Sequence, residues 1–418
     1  MSLCVVPTCH YGRANNENRL LLLRGDPMLK DWLAKQKAKS ALLQVFRNAD
    51  LWIPYSYGSS SGRIYPKIHS IKFDSNNKCL SYVFTLPIGM DPKEIKKKLY
   101  CFQQVFGKNI ELKGEIKKFH LIVYGSVLPT VLRYDYEKYV PQFRGMSLPI
   151  VAGMDLNGST VVFDLVKNPH ILIAGETGSG KSTQLRSILT TLIQALPAER
   201  LQLFLCDLKR SEFHIFRQVE HVRGLFYTAR EMWPMLQYLQ KEMQRRGDAL
   251  DTNEVAHIDD LADPPPYIVL CIDEVALLQK EKKLMEIVEE ISAIGRALGV
   301  FLILSMQRPD RNVLDGKLKN NLTVRMGFKC ADLINSRIIG TPGSEKLEKE
   351  GRMLLKIPTY SDLKEIQAPY LAISEAKKIL EGFYSPKRKN AYKHGLNASG
   401  DVIDLKENKN GIFEVLDE

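Results

Sequence analysis

Residues 175–182 read Gly-Glu-Thr-Gly-Ser-Gly-Lys-Ser, which is a complete G-x-x-x-x-G-K-[ST] phosphate-binding loop. The stretch 170–174 before it is short and apolar, as a buried parallel strand is, and residues 183–195 after it carry apolar side chains at helical spacing. A strand that feeds a glycine-rich turn and then a helix directs backbone N–H groups and the positive end of the helix dipole at a phosphate. The alternative is a glycine-rich turn that binds nothing, but the two correct flanks favour a nucleotide site.

The residue types of this loop predict a nucleoside triphosphate with Mg²⁺ as the ligand. Lys181 reaches the β and γ phosphates, and the Ser182 hydroxyl ligates the metal. The predicted nucleotide-binding residues are Gly175, Glu176, Thr177, Gly178, Ser179, Gly180, Lys181, Ser182 and Thr183.

A second apolar run, residues 267–272, ends in two acids, Asp273 and Glu274. A nucleoside triphosphatase places such a pair opposite its phosphate loop, where Asp273 holds Mg²⁺ largely through water and Glu274 polarises the attacking water. In isolation an ordinary helix cap explains the pair equally well. The phosphate loop in the same predicted domain favours the catalytic interpretation.

Three further polar positions follow or precede predicted strands. Gln307 leaves the end of a neighbouring apolar run and is placed to contact the γ-phosphate, although a Gln in a surface loop is the default interpretation. Residues 207–210 (Asp-Leu-Lys-Arg) close another strand at the carboxyl edge of the sheet, where open α/β folds bind ligands. Arg296 lies between a helix and a strand, where it could act on the phosphates of a neighbouring subunit; a surface arginine without function is the alternative.

The charge balance fits a polyanion partner. Lys and Arg number 59 and Asp and Glu 48, giving a net charge of +11 and a pI of about 9.1, although a Lys-rich solvated surface gives the same balance. Residues 308–321 form a long, polar and basic segment, which predicts a functional loop. The candidates for contacts to the phosphate backbone of DNA are Arg308, Arg311, Lys317 and Lys319.

The chain of 418 residues is too long for one typical domain. The predicted division is an extension with one helix (1–57), a small α+β domain (63–145), an α/β domain with a mainly parallel sheet (148–384) and a polar basic tail (385–418). Residues 55–62 resemble a turn or linker. One helix is expected over 26–48 and another from Asp91 to about 106; the strands expected in the parallel sheet are 170–174, 201–206, 267–272, 300–305 and 322–328.

The seven cysteines show no disulfide pattern, which predicts a reducing, cytoplasmic environment. Cys206, Cys271 and Cys330 are expected in the core. Cys4, Cys9 and His10 are close in sequence but lack a fourth zinc ligand. No secretory signal and no apolar run long enough to span a membrane is predicted.

Taken together, these motifs resemble the FtsK/SpoIIIE family of DNA translocases. The phosphate loop, Ile272-Asp273-Glu274, the segment 295–299 and Gln307-Arg308-Pro309 occur in the family's order and at similar separations. The further matches are residues 207–210, 235–246, 320–328, 335–337 and 343–353. The resemblance covers about 150–360 strongly and 63–145 weakly. It implies a RecA-like motor that forms a ring, usually a hexamer, around DNA and moves along it by hydrolysing ATP.

The departures from the family pattern bear on the biological role. Family members that act in division or sporulation carry amino-terminal membrane-spanning helices and a winged-helix domain after the motor. This sequence predicts neither, which favours a resemblance to the translocases of conjugative or integrative mobile elements over a role in chromosome segregation. Arg352 stands where the family usually has an acid. Two alternatives stay open: an adaptor that links a relaxase or replication initiator to a transfer apparatus with ATP as a switch, and a helicase or packaging motor of related architecture.

Overall fold

The computed structural model describes residues 27–57, 60–74, 79–107, 109–125, 128–310, 313–314, 316–385, 394–396 and 402–404. Contacts between Cα atoms divide the chain into two compact units. The first contains the described residues up to 125 together with Leu156–Ser159, and the second contains those of 128–155 and from 160 onward. Cys4, Cys9 and His10, for which the sequence offers no fourth zinc ligand, lie outside the described residues.

The first unit is a four-stranded antiparallel sheet with helices and a separate hairpin. Its elements are α1 (Pro27–Asn48), β1 (Ile53–Tyr57), β2 (Ser60–Ile64), β3 (Lys67–Asp74), β4 (Cys79–Thr85), α2 (Pro92–Lys97), α3 (Leu99–Phe106), β5 (Ile110–Lys113) and β6 (Lys118–Tyr124). The sheet order is β3-β4-β6-β5. Phe46 of α1 packs against Phe84 of β4 with ring centroids 5.1 Å apart, in one buried cluster with Phe102 and Phe119.

Three sequence-based expectations for this region are corrected. Helix α1, which we predicted as part of a separate extension, shares the hydrophobic core of the small α+β unit, because Leu42 and Phe46 are fully buried in it. The stretch 55–62, predicted as a linker, contributes to β1 and β2, which pair antiparallel, with 58–59 outside the described residues. The helix expected from Asp91 begins there, with Asp91 accepting from the Lys93 amide at 2.9 Å, but it divides into α2 and α3 at Lys98.

The second unit is an α/β domain around one large sheet. Its elements are β7 (Leu132–Arg133), α4 (Tyr136–Tyr139), β8 (Pro149–Asp155), β9 (Thr160–Asp164), β10 (Ile171–Ala174), α5 (Lys181–Ala195), β11 (Leu201–Asp207), β12 (Val222–Phe226), α6 (Ala229–Thr252), β13 (Tyr267–Asp273), α7 (Lys282–Ile294), β14 (Val300–Met306), α8 (Gly316–Asn321), β15 (Val324–Phe328), α9 (Leu333–Ile339), β16 (Arg352–Lys356), β17 (Lys364–Gln367), β18 (Pro369–Tyr370), α10 (Ile373–Leu380), β19 (His394–Leu396) and β20 (Val402–Asp404).

The ten strands of the large sheet run in the order β12-β11-β13-β14-β10-β15-β16-β17-β8-β9. The first six are mutually parallel and the last four pair antiparallel. All five predicted parallel strands are present, and the last begins at Val324 rather than at residue 322. Parallel strands end at a common carboxyl edge, so the segments that follow β10, β11, β13 and β14 are brought together there.

The parallel strands form unbroken apolar runs because helices cover both faces of the sheet. Every residue of β10, β13 and β14 is buried, and Cys206, Cys271 and Cys330 lie in the core as predicted. Helix α6 is fixed to this core by Arg246, which is 1% exposed. Its guanidinium donates to the carbonyl oxygens of Leu298 (2.8 Å) and Pro266 (2.9 Å) and pairs with Glu242.

The predicted basic tail from 385 to 418 falls mainly outside the described residues. Within it the structure describes β19 and β20, which pair antiparallel. None of the helices in the described ranges has the length and hydropathy that crossing a bilayer requires.

Candidate nucleotide-binding site

The phosphate loop joins β10, which lies between β14 and β15 in the sheet, to α5. Its first residues are tied to the neighbouring strands, because the Gly175 amide donates to the Met306 carbonyl and the Glu176 amide to that of Lys329. The far end is tied as well, since the Gly351 amide donates to the Ser179 carbonyl at 2.9 Å. No side chain caps α5, whose N-cap is Gly180, so its first N–H groups are left for a ligand. The loop thus has the geometry of an anion-binding site.

At two glycines of the loop, an added Cβ would collide with neighbouring atoms. Gly175 has φ +150°, and a Cβ there would lie 2.7 Å from the Phe328 Cβ. Gly180 has φ +112°, and a Cβ there would lie 2.8 Å from the Gly351 Cα. Both positions therefore need glycine for space and for backbone conformation.

Lys181 is the buried cation of the site, with 6% of its surface exposed. Its Nζ lies 3.4 Å from the Glu176 carbonyl oxygen and donates to it. Burial lowers the pKa of Lys181, while the charges of Asp273 and Glu274 act in the opposite direction. A desolvated ammonium facing two carboxylates is held where phosphate oxygens can bind it.

Asp273 and Ser182 supply the oxygens predicted for Mg²⁺. Burial raises the pKa of Asp273 to about 6, with further contributions from the charges of Glu212 and Glu274. The Ser182 hydroxyl donates to the Glu212 carboxylate at 2.6 Å. A buried carboxylate whose ionisation is opposed by its surroundings, as that of Asp273 is, fits a divalent cation. In the described ranges, no three His, Cys, Asp or Glu side chains are grouped as a metal site; Mg²⁺ bound mainly by phosphates and water needs only one or two protein ligands.

Glu274 follows β13 in a left-handed backbone conformation, with φ 59° and ψ 56°. This conformation is uncommon for a residue other than glycine. The residue is 6% exposed. Its carboxylate accepts a hydrogen bond from the Gln307 amide, with N–O distances of 3.1 Å to Oε1 and 3.2 Å to Oε2. Lys209 Nζ donates to its Oε2 at 2.7 Å. Glu274 and Lys181 thus share one cleft at the carboxyl edge of the sheet.

The segment after β11 contributes two residues to this site: Lys209, which belongs to the run 207–210 noted in the sequence, and Glu212, which the sequence analysis did not name. Asp207 is fully buried, and its carboxylate accepts the amides of Ser211, Glu212 and Phe213 at 3.0 Å each. This turn presents Glu212 to Ser182 and Lys209 to Glu274. The Asp-Leu-Lys-Arg run at the strand end indicated that Lys209 lies at the carboxyl edge of the sheet. The sequence did not indicate that its partner is Glu274.

The remaining predicted catalytic residues lie at different places. Gln307 directly follows β14 and contacts Glu274 through its backbone amide. Arg296 lies just before β14, at the opposite end of that strand, and is exposed. The structure therefore does not bring Arg296 to the cleft of its own chain, and its predicted action on a neighbouring subunit stays a prediction.

The basic segment that follows Gln307 is more ordered than its composition predicts. Val313, Leu314 and Leu318 are buried, and residues 316–321 form α8 instead of a loop. Arg308 and Lys317 are exposed, whereas Lys319 is partly buried and donates to the Arg337 carbonyl oxygen at 3.5 Å. Arg311 lies outside the described residues.

Arg352, which departs from the family pattern, is buried beside the site. Its guanidinium donates to Gln367 Oε1 at 2.9 Å and to Glu365 Oε1 at 2.8 Å. The adjacent Gly351 amide contacts the phosphate loop. Two residues of β17 thus accept hydrogen bonds from Nε and Nη1 of this arginine, whereas its buried Nη2 has no partner among the described residues.

Comparison with known proteins identifies a family domain in part of the chain. Residues 132–263 match the model of the FtsK/SpoIIIE family. The chain carries an FtsK/SpoIIIE domain. It is 30% identical over 305 residues to the DNA translocase FtsK of Tropheryma whipplei, an alignment that covers 68% of this chain and 40% of that protein. With the FtsK of Helicobacter pylori strain J99 it is 33% identical over 262 residues, which is 60% of this chain and 31% of the relative.

Solved structures share the P-loop ATPase fold. The pCW3 conjugation coupling protein TcpA, in a monomer form with ATPgS, superposes with a TM-score of 0.57 at 23% identity, covering 82% of this chain and 99% of that one. The cytoplasmic domain of the Thermomonospora curvata type VII secretion ATPase EccC gives a TM-score of 0.51 at 26% identity, covering 57% and 31%. The predicted fold class, a RecA-like P-loop ATPase domain preceded by a small α+β unit, is confirmed. The chain spans less than half the length of the curated FtsK relatives it matches.

Proposed function

We propose that this protein hydrolyses ATP with Mg²⁺ and uses the energy to move DNA. The observation that carries the proposal is the proximity of Lys181 to Asp273 and Glu274 at the carboxyl edge of the parallel sheet, where both carboxylates act on the lysine. Lys181 and the amides of the phosphate loop bind the phosphates, and Ser182 and Asp273 hold Mg²⁺, which neutralises charge on the phosphates when bound. Glu274 orients the attacking water and accepts its proton.

The DNA-binding part of the proposal rests on charge and on the family. The relatives are DNA translocases, and the chain has a net charge of +11. The exposed Arg308 and Lys317 lie in the segment that begins next to Gln307, whose amide contacts Glu274. A DNA phosphate bound by Arg308 would contact the residue next to Gln307, whose amide contacts the catalytic acid.

The finer predictions extend this proposal. A ring of copies, with Arg296 acting across the subunit boundary, and a role in transfer or maintenance of a mobile element are the expectations that follow from the family resemblance. A relaxase or replication initiator is the protein partner expected in that role. The adaptor alternative predicts the same nucleotide and DNA binding without mechanical work.

The test is a steady-state ATPase assay with and without double- and single-stranded DNA, combined with displacement of a triplex-forming strand. We expect hydrolysis to be stimulated by at least one DNA form and the triplex strand to be removed in the presence of ATP. Stimulation without strand removal favours the adaptor. A hydrolysis rate that is indifferent to both DNA forms over a range of salt concentrations contradicts the proposal.

A further inference from the structure

The catalytic acid is held by an ion pair that the proposed mechanism does not use. Lys209 Nζ lies 2.7 Å from Glu274 Oε2; the Glu274 side chain is 7% exposed and that of Lys209 32%. The same carboxylate accepts the Gln307 amide through both oxygens, at 3.1 and 3.2 Å. Hydrogen bonds to an ionised group at such short distances are among the strong ones in proteins.

This arrangement places an ammonium group on the carboxylate that takes the proton from water in the proposed reaction. Of its two oxygens, Oε2 is in contact with an ammonium and an amide, and Oε1 with the amide. A general base must come within hydrogen-bond distance of the water from which it takes the proton. Lys209 therefore competes with such a water for Oε2.

Lys209 lies where bound phosphates attract it. Its positive charge lowers the pKa of Lys181, so the two ammonium groups are close enough to interact. Because Lys181 belongs to the phosphate loop, a triphosphate bound there competes with Glu274 for Lys209. The turn that carries Lys209 is fixed by Asp207 at residues 211–213, so the flexible lysine side chain is the part that can change partner.

Glu274 is thus held from two sides that respond to different ligands. Lys209 belongs to the turn after β11, which also contacts Ser182 through Glu212. Gln307 belongs to the segment that leads to Arg308 and α8, the proposed DNA contact. We propose that Lys209 restrains Glu274 in an inactive position, and that its release sets the rate of hydrolysis in the absence of DNA. Lys209 is then a positioning residue, and DNA, acting through Gln307, stimulates hydrolysis by overcoming its hold on Glu274.

The inference rests on the proposed ATPase function, and Lys209→Met tests it separately. We expect this variant to hydrolyse ATP about tenfold faster than wild type without DNA, while its DNA-saturated rate stays within about twofold, so that the stimulation ratio falls. Lys209→Arg, which keeps the charge, restores the low DNA-free rate. Lys280→Met, which removes an exposed lysine six residues from Glu274, behaves as wild type. Lys209→Met combined with Glu274→Gln is inactive, because the extra turnover requires Glu274.

The outcomes separate the two proposals. Wild-type protein without DNA-stimulated hydrolysis contradicts the proposed function. If wild type is stimulated but Lys209→Met is slower both with and without DNA, Lys209 assists the reaction and the restraint is wrong. Binding of a fluorescent ATP analogue is measured in parallel. Complete loss of nucleotide binding in both Lys209→Met and Lys209→Gln would also overturn the inference, which assigns binding mainly to Lys181 and the phosphate loop.

Discussion

Replacing Asp273 by Asn measures how much the ionised, buried carboxylate lowers the free energy of unfolding in the absence of Mg²⁺. Burial raises the pKa of Asp273 from the ordinary 3.8 to about 6, and one pKa unit corresponds to about 1.4 kcal/mol. Its ionisation in the folded state therefore costs roughly 3 kcal/mol at about pH 7.5, compared with the unfolded chain. Asn has nearly the same size, carries no charge and keeps an oxygen for Ser305. We expect Asp273→Asn to raise the free energy of unfolding by about 3 kcal/mol at this pH.

The raised pKa also fixes how this gain depends on pH. Between pH 3.8 and about 6 the folded protein binds more protons than the unfolded chain, so wild type loses stability as the pH rises through this window. At about pH 4.5 most of the cost has disappeared, and the gain from Asp273→Asn falls to about 1 kcal/mol. Urea unfolding followed by circular dichroism measures both values, with the exposed Asp251→Asn on α6 as the control. A variant less stable than wild type near neutral pH, or an equal gain at both pH values, contradicts the reasoning.

Three further substitutions test other contacts. Gly180→Ala places a Cβ 2.8 Å from the Gly351 Cα in a residue with φ +112°. We expect urea unfolding to show a loss of at least about 1–2 kcal/mol in unfolding free energy. We also expect titration with a fluorescent ATP analogue to show a loss of nucleotide binding. Arg246→Ala should destabilise by about 3–5 kcal/mol, because it removes a buried cation from its partners, whereas the exposed neighbour Arg245→Ala changes stability by less than about 1 kcal/mol in the same assay. Lys317→Ala should weaken DNA binding and reduce the slope of log K against log salt by about 1, measured by fluorescence anisotropy; an unchanged slope removes Lys317 from the interface.

The large sheet was predictable because its strands carry their own signal. Residues 267–273 and 300–306 are unbroken apolar runs, and such runs are strands when helices cover both faces. The phosphate loop and the acid pair could be located because each directly follows a strand. The carboxyl edge common to parallel strands then brings them together without further information.

The features that could not be predicted from the sequence depend mainly on contacts between residues far apart in the chain. Lys209 and Glu274 are 65 positions apart, and their ion pair requires both the strand order and the left-handed backbone of Glu274. Residues 55–62 are rich in turn-forming Gly and Ser, so their pairing in β1 and β2 was hidden by composition. In the basic segment the aliphatic residues Val313, Leu314 and Leu318 were the overlooked signal, since all three are buried.

The most direct test of the nucleotide site compares binding and hydrolysis in Glu274→Gln and Lys181→Ala. Equilibrium binding of a fluorescent ATP analogue and single-turnover hydrolysis of ATP with Mg²⁺ are measured on both variants and on wild type. If Glu274 is the base and Lys181 binds phosphate, Glu274→Gln binds the nucleotide as wild type does but hydrolyses it at least about 100-fold more slowly, and Lys181→Ala loses binding itself. Normal hydrolysis by Glu274→Gln, or undiminished binding by Lys181→Ala, contradicts the assignment of this cleft as the ATPase site.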